Sequence, residues 1–234
     1  MGLLPTTKKK IKKDINNQII TIYGNIKIGK SSFAAEMDSP LFISTEPGLN
    51  ALEVFEAPCE NWETFLEICA ELAKDFNGFK NIVVDTINNL YQQCEVYILK
   101  KNNAQHPTDI PGFAKGYSLI NSEFSRVIKK LSMMPIGLVF ISHAKEKEVD
   151  TKAGKVQKTT LSMSAGGAKI ITGLSDMVLF FDTQVLKEGN AIIEKRVIRT
   201  RPSYAYDSGS RWPIADEIPL SYQEFKKEYN NNKK

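Results

Sequence analysis

A chain of 234 residues, 42% hydrophobic and 25% charged, is long enough for one substantial core and too apolar for the disordered class. The formal charge of +4 is more than accounted for by Lys8, Lys9, Lys10, Lys12 and Lys13, so the body beyond that basic segment is close to neutral. No run approaches the roughly 18 apolar residues of a membrane span and the lysine-rich start lacks a secretory apolar segment, which predicts a cytoplasmic protein with no membrane partner.

Residues 1–17 read as a basic N-terminal tail, able to steer a polyanion or simply solvated. Ile19 to Tyr23 then forms a buried strand ending at Gly24, and a helical pattern runs from Lys30 to about Met37. Leu41 to Thr45 is a second strand between Pro40 and Pro47. Trp62 to Phe76 places Phe65, Ile68, Cys69, Leu72 and Phe76 at helical spacing before Asn77-Gly78 breaks it. Ile82 to Val84 is a third strand ending at Asp85, and Thr86 to about Lys101 is a helix.

Asn102 to Gly116, with two prolines and two glycines, is expected as a loop, and Tyr117 to Met133 resumes helical periodicity. Ile136 to Ile141 is a fourth buried strand, followed by Ser142-His143. Ala144 to Gly167 is rich in Lys, Thr and Ser, which predicts a long loop or a flexible hairpin. Ala168 to Leu174 fits a short helix, and Met177 to Phe181 and Ala191 to Thr200 fit strands joined as a hairpin through Glu188-Gly189-Asn190. Trp212-Pro213 and Ile218-Pro219 predict irregular packing before a last amphipathic turn or two from Tyr222 to Tyr229. The expected division is a tail at 1–17, one α/β core at 18–205 and a C-terminal extension at 206–234.

The residues that carry chemistry cluster at strand ends. Gly24-Asn25-Ile26-Lys27-Ile28-Gly29-Lys30-Ser31 follows a strand and opens a helix, the context in which Gly-x-x-x-x-Gly-Lys-Ser has physical meaning. Its glycines let successive backbone N–H groups face an anion, while Lys30 reaches the β- and γ-phosphates, Ser31 ligates Mg²⁺ and Ser32 extends the phosphate contacts. ATP with Mg²⁺ is the expected ligand. Asp85 supplies a carboxylate for the metal's water shell, and Glu46 is placed to orient or deprotonate an attacking water. A surface turn is the alternative for Glu46. His143 is expected near the γ-phosphate, with a core-capping histidine as its alternative. Lys195, Arg196, Arg199 and Arg201 offer cations for a neighbour's site, or merely a solvated edge. Cys59, Cys69 and Cys94 are odd in number and without paired spacing, and His106 and His143 stand far apart, so neither a disulfide framework nor a zinc site is indicated.

Taken in order, Gly24 to Ser31, Ser44-Thr45-Glu46, Val83-Val84-Asp85-Thr86, Phe140-Ile141-Ser142-His143 and Arg199-Thr200-Arg201-Pro202 resemble the RecA-like ATPases, and more closely the small phage-encoded members associated with single-strand annealing and recombination. The resemblance implies a P-loop core with a mostly parallel central sheet flanked by helices and a C-terminal β-hairpin. It also implies a homo-oligomer, ring or filament, with ATP between subunits, binding single-stranded DNA and working beside a phage or host single-strand-binding protein. Carried onto this sequence, the DNA-facing loops are Ala144 to Gly167, with Lys145, Lys147, Lys152, Lys155 and Lys158, and about Asn102 to Gly116, beside Phe113, Lys115 and Tyr117. Glu146, Glu148 and Asp150 dilute the charge of the longer loop, which has no aromatic residue for base stacking.

The expected activity is a DNA-stimulated ATPase promoting annealing or strand exchange by trans stabilisation with Arg199 or Arg201. Alternatives sharing the P-loop are a hexameric helicase motor or loader, a small-molecule or nucleotide kinase, and a binding module whose ATP site regulates assembly. An arginine-rich lid would mark a kinase, yet the long loop carries no Arg.

Overall fold

The computed structural model describes residues 4–151, 154–188 and 191–232. The chain runs β1 (Ile19–Gly24), α1 (Lys30–Ala35), β2 (Pro40–Ser44), β3 (Phe55–Pro58), α2 (Trp62–Leu72), β4 (Asn81–Asp85), α3 (Ile87–Lys101), α4 (Lys115–Ser132), β5 (Gly137–Thr151), β6 (Gly154–Leu161), α5 (Ala165–Leu174), β7 (Met177–Glu188), β8 (Ala191–Arg199), β9 (Gly209–Ser210), β10 (Glu217–Pro219) and α6 (Tyr222–Asn231).

The short apolar runs become central strands because both of their faces are covered. Along β5, Leu138 and Phe140 face the α2–α5 layer while Val139 and Ile141 face the layer built by α1 and α6. Burial on both sides is what makes a parallel strand read as continuous hydrophobic sequence. The strand order is β10-β8-β7-β1-β5-β4-β2-β3. The pairs from β7 to β3 are parallel, and β7–β8 and β8–β10 are antiparallel. This is the expected α/β architecture: a mixed, mostly parallel sheet flanked by helices, with a late antiparallel hairpin. Gly189 and Asn190 of the hairpin turn lie outside the described residues.

Ala144 to Gly167 is mostly regular: β5 continues past His143 to Thr151 and pairs with β6 from Ala144↔Leu161 to Thr151↔Gly154. Of the two expectations the hairpin holds. Polar sequence hid it because a strand pair projecting beyond the sheet has no apolar face to bury. Helix α5 starts at Ala165, so Gly166 and Gly167 lie in its first turn, with Ser164 as the side-chain cap on Gly167 N–H. The expected loop at 102–116 contains a one-turn 3-10 helix at Pro107–Asp109, and α4 already begins at Lys115.

The C-terminal segment is less irregular than its prolines suggest. Glu217–Pro219 pairs with β8 at the sheet edge, where Pro costs little because its missing N–H faces outward. Helix α6 buries Tyr222, Phe225 and Tyr229. Phe33 of α1 packs edge-on against Tyr222 with ring centroids 5.4 Å apart and tilted against Phe225 at 5.6 Å. Among the described residues, no helix is long and apolar enough to cross a membrane.

Candidate functional site

The register places the P-loop above the carboxyl ends of the central strands. Gly24 lies beside His143 of β5 and Phe181 of β7, while Asp85 pairs with Ser44 of β2 and Ile141 of β5. Open α/β sheets hold ligands at this edge. Gly24 admits no side chain, because a Cβ there would stand 2.6 Å from the Phe181 carbonyl oxygen. Gly29, at φ 112°, adopts the left-handed conformation that turns the loop into α1. Between them Asn25, Ile26 and Lys27 are exposed, whereas Ile28 is buried beneath the loop and Ser32 is exposed on α1.

Lys30 is buried, and its Nζ donates to the carbonyl oxygens of Gly24 at 3.0 Å and Asn25 at 2.8 Å. Burial holds this ammonium below its usual pKa, opposed by the Asp85 and Glu46 carboxylates. Ser31 Oγ donates to Asp85 Oδ2 at 2.6 Å. Burial pushes the Asp85 carboxyl above the ordinary range; the Ser31 hydrogen bond works against that shift and the nearby Glu46 carboxylate reinforces it. A hydroxyl and a carboxylate oxygen in contact, both from rigid elements, match what a hard divalent cation takes from protein when phosphates and waters complete its shell. Among the described residues there is no cluster of three or more His, Cys, Asp or Glu side chains suited to an all-protein metal site.

Glu46, two residues past β2, is clamped. Its Oε1 lies 3.1 Å from His143 Nε2 and its Oε2 accepts from Asn89 Nδ2 at 2.6 Å. The His143 backbone N–H donates to Asn88 Oδ1 at 3.3 Å, and its Nδ1 is buried without a partner. Asn88 and Asn89 were not legible as site residues. Their only signal was position, the first turn of the helix after Asp85.

The late cations separate. Arg199 is held between Asp182, at 3.2 Å, and Glu217. Arg201 pairs with Asp216 at 2.9 Å. Neither is brought to this chain's P-loop. Arg196, expected from sequence to serve a neighbour's site or to lie on a solvated edge, reaches its own loop and donates to the Ile28 carbonyl at 3.4 Å.

The expected nucleic-acid contacts are spread over two regions. Phe113 is fully exposed and Lys115 opens α4. On the hairpin, Lys145 Nζ donates to the Met163 carbonyl at 2.5 Å, Lys155 pairs with Glu148 at 2.6 Å and Lys158 pairs with Asp207 at 2.6 Å. Lys147 is exposed, and Lys152 lies outside the described residues. The hairpin is tied to β1 through Tyr23, whose buried hydroxyl lies 3.3 Å from the Thr159 carbonyl of β6, donates toward the Asp207 carbonyl at 2.5 Å and accepts from Asp207 N–H at 3.0 Å.

Comparison with known proteins agrees with this geometry. The AAA domain family matches residues 16–212, most of the chain. The chain is also similar to the SPbeta prophage-derived uncharacterized protein YorG of Bacillus subtilis (strain 168), with 24% identity over 202 residues, covering 84% of this chain and 62% of that protein. The chain therefore spans under two thirds of the length of this relative.

Proposed function

The chain belongs to the AAA domain family of ATP-binding, ATPase-type domains, and on that premise we propose that it hydrolyses ATP with Mg²⁺ and couples turnover to binding single-stranded DNA as a homo-oligomer, promoting annealing or strand exchange. The observation that carries the reading is the Ser31–Asp85 contact of 2.6 Å beside the buried Lys30. Two acidic or hydroxylic oxygens and a cation at the mouth of a glycine-bounded loop fit a metal-bound triphosphate better than any other common ligand.

Backbone N–H groups from Asn25 to Lys30 cradle the β- and γ-phosphates, and Lys30 exchanges its two carbonyl partners for phosphate oxygens. Ser31 and Asp85 would hold a magnesium ion, which would supply positive charge against the charge that builds on the transferring phosphoryl group. Glu46, fixed by Asn89 and His143, orients the attacking water and accepts its proton. Arg199 and Arg201 serve a neighbouring subunit only by exchanging their own carboxylate partners for its nucleotide. Arg196 is placed instead to steady the P-loop of its own chain.

Lys145, Lys147, Lys155 and Lys158 on the hairpin, with Phe113 and Lys115, give weak contacts that a ring or filament multiplies along one strand. A prophage-derived relative supports a phage setting. The test is the ATPase rate and particle mass of the full chain with and without single-stranded DNA. Stimulated hydrolysis that disappears in Lys30→Ala is expected, and hydrolysis indifferent to any nucleic acid would remove the DNA-linked half of the proposal.

A further inference from the structure

The β5–β6 hairpin sorts its charges. Lys145 opposes Thr160, Lys147 opposes Lys158, and Val149 opposes Val156. Directly opposed residues share a face and neighbours along a strand alternate. One face therefore carries Lys145, Lys147 and Lys158 with no carboxylate, while Glu146, Glu148 and Asp150 fall on the other. The acidic residues that dilute the charge in sequence do not dilute it in space.

Lys145 and Lys147 form one wall of a cavity of about 760 Å³, and α5 forms the other with Lys169. Residues 207–211 complete it. Two carboxylates line the cavity, and both are matched: Asp176 by Arg211 at 2.9 Å and Asp207 by Lys158 at 2.6 Å. Lys145, Lys147 and Lys169 have no carboxylate partner among the described residues. The surplus of positive charge thus comes from both walls at once. No aromatic side chain lines the cavity.

We propose that this groove holds the sugar-phosphate backbone of a single nucleic-acid strand, with Lys169 of α5 as a phosphate contact opposite Lys145 and Lys147. The ligand class rests on the function proposed above; the groove, its second wall and Lys169 do not. A cleft in the size range of small-ligand sites admits a few nucleotides of one extended strand and excludes a duplex. Cations without stacking platforms read charge alone, so binding is indifferent to base sequence.

Each phosphate contact on a single strand contributes about −0.7 to the slope of log affinity against log salt. The experiment is fluorescence anisotropy of labelled oligo-dT and oligo-dA with the full chain and a nonhydrolysable ATP analogue across a salt series. Lys169→Ala is compared with Lys74→Ala, an exposed lysine on another surface, after circular dichroism shows that both fold. The expected result is a slope shallower by about 0.7 for Lys169→Ala, an unchanged slope for Lys74→Ala, similar affinity for both oligonucleotides and weaker binding of duplex. Single-strand binding in which the two variants behave alike overturns the groove while leaving the proposed function standing, as does a strong preference for one base; a strong preference for duplex overturns both. No binding of single strands by the unmodified chain overturns both.

Discussion

Ser31 Oγ and Asp85 Oδ2 stand 2.6 Å apart, tying the first turn of α1 to the end of β4. The contact unites two motifs separated by more than fifty residues, and it holds a carboxylate in a buried place. Because burial raises the Asp85 pKa, folding favours its protonated form. Its contribution to stability is favourable at low pH and becomes a penalty as pH rises through the raised value. Asp85→Asn, which still accepts from Ser31, is expected to melt at or above the unmodified temperature at pH 7 without nucleotide, with a flatter melting profile as pH rises above the ordinary carboxylate range. Turnover falls by about 100-fold or more, since charge stabilisation at the metal is lost. A clear loss of stability at pH 7 would mean that the ionised carboxylate supports the fold.

Glu46 touches His143 and Asn89 and lies outside the loop from Gly24 to Ser31. Glu46→Gln is therefore expected to lower kcat by about 10² to 10⁴ while nucleotide affinity changes by no more than a few-fold. Asn89→Ala, which frees one carboxylate oxygen, lowers kcat by a smaller factor. Steady-state kinetics and nucleotide titration separate the two effects. A large rise in Kd with unchanged kcat contradicts the assigned role.

Phe33 connects α1, the helix that follows the Gly24–Ser31 loop, to the C-terminal helix through Tyr222 and Phe225. Truncating Phe225, which is fully buried, removes that support. Phe225→Ala is expected to cost about 3–5 kcal/mol. Thermal and urea melts measure the loss. Saturating ATP is expected to raise the melting temperature of the variant by mass action, by less than in the unmodified chain because a loosened α1 binds it more weakly.

Tyr23 precedes Gly24 and fastens the segment at Asp207, which in turn pairs with Lys158 on the hairpin. Tyr23→Phe removes the hydroxyl's hydrogen bonds while the Asp207 N–H keeps the Thr159 carbonyl at 3.2 Å, so the expected cost is about 0.5–1.5 kcal/mol. Faster hydrogen exchange is expected at 156–161 and 205–208, with basal ATPase retained. Exchange confined to β1 would show that the hydroxyl does not link strand and hairpin.

The sequence exposed the parts of this molecule governed by local rules. Gly24, Gly29 and Asp85 were readable because a sharp turn and an acidic strand end leave marks on neighbouring residues. The apolar runs of β1, β4 and β5 were readable because both their faces are buried. Strand β3 was missed because its edge position leaves Phe55 exposed and gives no alternation. The Glu46–His143 contact spans 97 positions and depends on strand order, which periodicity does not report. Charge sorting on the β5–β6 hairpin likewise needed the register, since the same residues read in line look neutralised.

Isothermal titration of the full chain with ATP and Mg²⁺, repeated with EDTA and with Lys30→Ala, tests most directly whether the loop from Gly24 to Ser31 and the Asp85 carboxylate hold a metal-bound triphosphate. One nucleotide per chain is expected, with a Kd between about 1 μM and 1 mM, weakened by removing the metal and abolished in the variant. Absence of binding at millimolar nucleotide in every assembly state, or binding equal in Lys30→Ala, contradicts it.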